Sequence, residues 1–103
     1  MGFPYRWPEA REGLPILARN AVSTARQFPG RWFGEMPLRA RVCYDARQHE
    51  YHLRDELYNV DWYRNSKASA IETLDYTWRM EISDGNYTEE LLDSLIMAAA
   101  VGR

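Results

Sequence analysis

The chain has 103 residues, 46% of them hydrophobic and 14% aromatic, which is enough for one small folded core and too short for two domains. Its formal net charge of −2 argues against a generally basic nucleic-acid-binding domain. No apolar run approaches the roughly 18 residues needed to cross a bilayer, and a lone cysteine, Cys43, excludes an internal disulfide framework and fits a reducing, cytoplasmic setting.

In chain order, Phe3-Pro4-Tyr5-Arg6-Trp7-Pro8 alternates rings with prolines. Each proline fixes its own φ and pushes the preceding residue toward extended geometry. Residues 1–8 are therefore expected to form an extended aromatic arm, followed by at most one helical turn that Gly13 ends. The first full helix is expected at about 14–27, with Pro15 at its first position, where a missing N–H costs nothing. Leu14, Leu17, Ala18, Ala21, Val22, Ala25 and Phe28 recur at helical spacing and form one apolar stripe. Phe28-Pro29-Gly30 ends the helix.

Arg31-Trp32-Phe33-Gly34-Glu35 reads as a connector. Leu38, Ala40, Val42 and Tyr44 then alternate with Arg39, Arg41 and Cys43, the pattern of a half-buried strand. The alternation resumes at Tyr51 and Leu53, giving a hairpin over about 38–57. A four-residue loop pairs Val42 with Leu53, whereas a two-residue loop pairs Tyr44 with Leu53. Gln48-His49 lacks the glycine or asparagine that two-residue turns prefer, so the longer loop is favoured. A third strand is plausible at about 57–62, with Tyr58, Val60 and Trp62 on one face. A second helix follows at about 66–81, capped by Asn65 or Ser66 and buried through Ile71, Leu74, Trp78 and Ile82. After a turn at 83–86, Thr88 caps a third helix that carries Glu89 and Glu90 in its first turn, where the helix dipole favours negative charge. The expected fold class is α+β: a two- to three-stranded antiparallel sheet packed against about three helices in a single domain.

No glycine-rich phosphate loop, nucleophile elbow, paired-cysteine motif or metalloprotease helix occurs in the sequence. In the favoured register Cys43 faces His52, away from Tyr44 and Leu53. A thiol beside an imidazole can act as a nucleophile, and His49 or Asp45 can join the pair around a metal ion. Neither reading has an orienting group or a recognised ligand spacing, so no catalytic, cofactor or metal site is assigned.

Charge is distributed unevenly. Residues 1–49 hold eight arginines against four carboxylates, and residues 50–103 hold five basic groups against eleven acidic ones. The hairpin's outer face runs from Arg39 and Arg41 to Glu56, with Asp55 and Asp61 nearby. Tyr58, Trp62 and Tyr63 interleave those acids, and aromatic rings supply much of the energy at protein interfaces. Core packing competes for Tyr58 and Trp62, because so small a domain must bury its large rings. Phe3, Tyr5 and Trp7 of the arm are further contact candidates, as a preformed extended ligand.

These residues together point to a small non-enzymatic protein-binding domain of the inhibitor, immunity, antitoxin or phage-encoded host-targeting kind. Its partner is expected to be another protein, through a basic surface or a nucleic-acid-binding complex, and not a membrane. An accessory subunit of a larger assembly and a nucleic-acid binder using the hairpin arginines are the two alternatives.

Overall fold

The structure is a computed structural model that describes residues 7–84 and 87–101. It is an α+β fold in the order α1 (Trp7–Gln27), β1 (Trp32–Gly34), β2 (Ala40–Asp45), β3 (Glu50–Asp55), β4 (Val60–Arg64), α2 (Lys67–Ser83) and α3 (Glu89–Val101). The four strands form an antiparallel meander in the order β1-β2-β3-β4. Helices α1 and α2 cover one face of this sheet, and α3 packs on α1. No helix among the described residues is long and apolar enough to cross a membrane.

Helix α1 is longer than its sequence suggests. Trp7 and Pro8 are helical, Gly13 does not end the helix, and Pro15 lies inside it. A helical glycine costs about 1 kcal/mol relative to alanine, and Pro15 removes one backbone donor. Full burial of Leu14, Leu17, Ala18 and Val22 against the sheet and the other helices offsets both, since each large aliphatic side chain contributes about 2 kcal/mol. The rest of the expected arm, with Phe3 and Tyr5, lies outside the described residues. Phe28 does not complete the buried stripe; it sits just past the helix end, half-exposed, with its ring 6.1 Å from that of Phe33.

The hairpin takes the register of the four-residue loop, with Val42 opposite Leu53, Cys43 opposite His52 and Tyr44 opposite Tyr51. Asp45 Oδ1 accepts the Arg47 and Gln48 N–H groups, and His49 closes the loop in the left-handed region at φ 53°. The next loop repeats the device: Asp55 Oδ1 accepts the Leu57 N–H, and Asn59 closes it at φ 56°. That loop takes up Leu57 and Tyr58, so the third hairpin strand starts at Val60 rather than at 57. The expected connector is also a strand. Trp32 and Phe33 pair with Cys43 and Val42, and Gly34 pairs with Arg41, making the sheet four-stranded. At Gly34 a Cβ would lie 2.9 Å from Arg41 Cγ and 3.0 Å from the Ala40 carbonyl oxygen, so glycine lets β1 approach β2 closely.

Alternation sends Phe33, Ala40, Val42, Tyr44, Tyr51 and Leu53 toward the helices, and all but Phe33 are buried. Trp78 of α2 is fully buried and donates its indole N–H to the Ala40 carbonyl at 3.0 Å. Ser66 caps α2 by accepting the Ser69 N–H, and Thr88 Oγ1 accepts the Leu91 N–H at the start of α3.

The most constrained polar feature of the core is Glu81. It is fully buried, accepts the Arg39 and Ala40 N–H groups on its two carboxylate oxygens at 2.9 Å each, and takes a third hydrogen bond from the Tyr87 hydroxyl. One α2 side chain thus binds the start of β2 and the segment leading into α3. Asp55 is also fully buried on the helix side, and its Oδ2 has no hydrogen-bond partner among the described residues. Burial raises the pKa of both carboxyls, and for Glu81 the charge of Asp55 adds to the rise while its three donors oppose it.

Candidate functional site

Among the described residues no helix lies over the opposite face of the sheet. Cross-strand pairing places Trp32, Cys43, His52 and Tyr63 in one row that spans all four strands. The His52 ring stacks on Tyr63 at 4.5 Å and meets Trp32 edge-on at 5.0 Å, so three rings form a continuous ridge over the buried hairpin. Trp32 and Tyr63 are 41% and 54% exposed, which leaves both ends of the ridge accessible for contact. Such rings bury area with few rotatable bonds to freeze, a property that concentrates binding energy at interfaces.

Charged rows flank the ridge. On one side Arg41 pairs with Glu56 at 3.0 Å, and Arg54 lies 3.5 Å from Asp61, which also meets His52 at 3.1 Å. Trp32, Arg41, Arg54 and Glu56 enclose a depression of about 110 Å³. On the other side Asp45, Arg47, Glu50 and Gln48 edge a wider depression of about 460 Å³ whose inner wall is Cys43, His52 and Tyr63. Exposed ion pairs of this kind contribute little to stability, about 0–1 kcal/mol each. They do hold the long side chains in place beside the rings.

The structure gathers four of the sequence-derived contact candidates here: Arg41, Glu56, Asp61 and Tyr63. Arg39 is exposed just before β2, and its charge acts on the buried Asp55 and on Tyr87 rather than on the ridge. Three others are corrected. Asp55 alternates with Leu53 and points inward, where it is fully buried. Trp62 lies opposite Leu53 on the helix side and is half-buried against the core. Tyr58 falls in the β3–β4 loop, half-buried, with its hydroxyl inaccessible and unpaired. Trp7 lies in the first turn of α1, and Phe3 and Tyr5 are outside the described residues.

Trp32 and His52 are the contributors that sequence reasoning passed over. Trp32 could have been found only by recognising Trp32-Phe33-Gly34 as a strand. His52 lies opposite Cys43, but its ring packs on Trp32 and Tyr63 and hydrogen-bonds Asp61, and burial pushes the Cys43 thiol's pKa up, away from an activated thiolate. Among the described residues no group of three or more His, Cys, Asp or Glu side chains is placed to hold a metal ion.

Compared with family models, curated proteins and solved structures, the chain matches none.

Proposed function

We propose that this domain is a non-enzymatic protein-binding module that grips its partner with the open sheet face. The reading rests on one observation: Trp32, His52 and Tyr63 touch in a single row across the sheet face that no described helix covers, with Trp32 and Tyr63 exposed. The charges beside the row favour a protein over a nucleic acid. Arg41 and Arg54 each face a carboxylate, and Asp45 and Glu50 add further negative charge, so a phosphate backbone would meet acids as often as bases. A protein surface carrying both signs suits this face. An acidic side chain would enter between Arg41 and Arg54, and a basic one would sit by Asp45 and Glu50 on the other side of the rings. A compact inhibitor or antitoxin-type protein, including a phage-encoded one, would use its face in this way. An accessory subunit would use it within a permanent assembly.

The test is affinity capture from the native host with the wild-type chain and with a Tyr63→Ala/Arg54→Glu variant, which alters β3 and β4 only. A protein retained by the wild type and lost by an equally well-folded variant supports the reading. Equal retention by both removes the open face as the contact surface. Retention on single-stranded DNA that falls with added salt would replace it with a nucleic-acid role.

A further inference from the structure

Strand β1 forms one edge of the sheet, and among the described residues no strand lies beyond it. Edge strands are usually guarded by charge, proline or a covering element, because their free backbone groups invite another strand. Here Pro29 and Pro37 bracket the edge, and between them runs Arg31-Trp32-Phe33-Gly34-Glu35. Phe33 lies opposite Val42 on the helix side, so alternation places Arg31 and Glu35 with it and leaves Trp32 and Gly34 on the open face. Next to this edge, between α1 and β1, is a groove of about 270 Å³ lined by Leu17, Ala21 and Phe33, with Asn20, Thr24 and Glu35 around it.

Neither charge of the segment has a partner among the described residues. Among the described residues neither the half-buried Glu35 carboxylate nor the exposed Arg31 guanidinium is in a salt bridge. Burial raises the pKa of Glu35, which is the response of a carboxylate removed from water without a cation beside it. Phe28 and Met36, at the two ends of the edge, are 49% and 83% exposed.

We propose that β1 pairs antiparallel with β1 of a second copy of this chain, across a two-fold axis at Phe33, so that two four-stranded sheets become one of eight strands. The segment is self-complementary in that arrangement. Arg31 falls opposite the partner's Glu35, and Glu35 opposite the partner's Arg31, so both unpaired charges are matched twice. Trp32 falls opposite the partner's Gly34, which has no side chain of its own to oppose the indole. The two Phe33 rings meet at the axis beside the two grooves. A symmetric interface must be self-complementary in this way, and the five-residue segment meets that condition at every position. The proposal does not depend on the open-face reading, whose test alters β3 and β4.

Sedimentation equilibrium on the full chain over the micromolar range tests it. The wild type is expected to show a monomer–dimer equilibrium. Arg31→Glu and Glu35→Arg are each expected to weaken the dimer at least about tenfold, because like charges then face each other twice. The Arg31→Glu/Glu35→Arg double variant is expected to recover it, since the exchange restores both pairs. A wild type that stays monomeric overturns the proposal, as does a dimer that the single variants do not weaken. A double variant no tighter than the singles overturns it too. Circular dichroism melts of all four proteins establish that the comparison is between folded chains.

Discussion

Two buried carboxyls behave differently because one is fully hydrogen-bonded and the other is not. Glu81 satisfies two backbone N–H groups and one hydroxyl. Replacing it with alanine leaves those donors facing apolar surroundings at about 1–3 kcal/mol each, so Glu81→Ala is expected to cost about 3 kcal/mol or more in a urea-unfolding measurement. A cost below 1 kcal/mol would mean that water or a rearranged side chain replaces the carboxylate. Asp55 is the reverse case. Its Oδ1 serves the Leu57 N–H while Oδ2 is buried with no partner among the described residues, and burial is the main cause of its raised pKa. Asp55→Asn keeps the loop hydrogen bond and removes an uncompensated charge. We expect it to stabilise the protein at neutral pH by about 1 kcal/mol, read as an increase in Tm; a lower Tm would show that attraction to Arg39 outweighs burial.

At the scale of elements, the sheet is built from two loops of the same design: an aspartate at the end of a strand, then four loop residues of which the last is left-handed. Asn59 suits that last position better than His49 does, because asparagine is enriched in the left-handed region and glycine enters it without steric cost. His49→Gly is therefore expected to raise stability, by up to about 1 kcal/mol, with the hairpin pairing unchanged. The side chain being removed makes only a 3.4 Å contact with the Tyr44 hydroxyl. A thermal melt in which His49→Gly unfolds earlier than the wild type would assign that contact more weight than its geometry suggests.

At the scale of the whole molecule, the buried acids set how stability depends on pH. Burial raises the folded-state pKa of Asp55, Glu81 and Glu35 from the ordinary carboxylate value. The folded protein therefore holds protons that the unfolded chain has released. Their contribution is fully present below the unfolded carboxylate pKa of about 4, and it is lost as pH rises through the folded values. Stability is expected to decline from mildly acidic to neutral pH, and Asp55→Asn should flatten that decline. Urea midpoints that climb between pH 4.5 and 7 would overturn the expectation, with the interval chosen to span the ordinary carboxylate range and its raised counterpart.

Much of the fold could be read along the chain because it depends on local periodicity. The stripe from Leu14 to Ala25, the alternation of Val42 and Tyr44 with Tyr51 and Leu53, and the cap at Ser66 each declare themselves within a few residues, and the structure uses them so. Part of the site was legible in the same way, since alternation alone puts Arg41 and Cys43 on the hairpin's outer face and His52 opposite Cys43. Other features depend on contacts distant in sequence. Three residues at Trp32–Gly34 are too few for a period, and only pairing with β2 makes them a strand. Glu81 resembles any solvated helix residue until Arg39 and Ala40, at the entry to β2, present their N–H groups to it, some forty positions earlier in the chain. The ridge of Trp32, His52 and Tyr63 draws one ring from each of three strands. Local periodicity thus settled which way side chains point, and tertiary packing, by placing every sheet-covering helix on one side, decided which of them remain exposed.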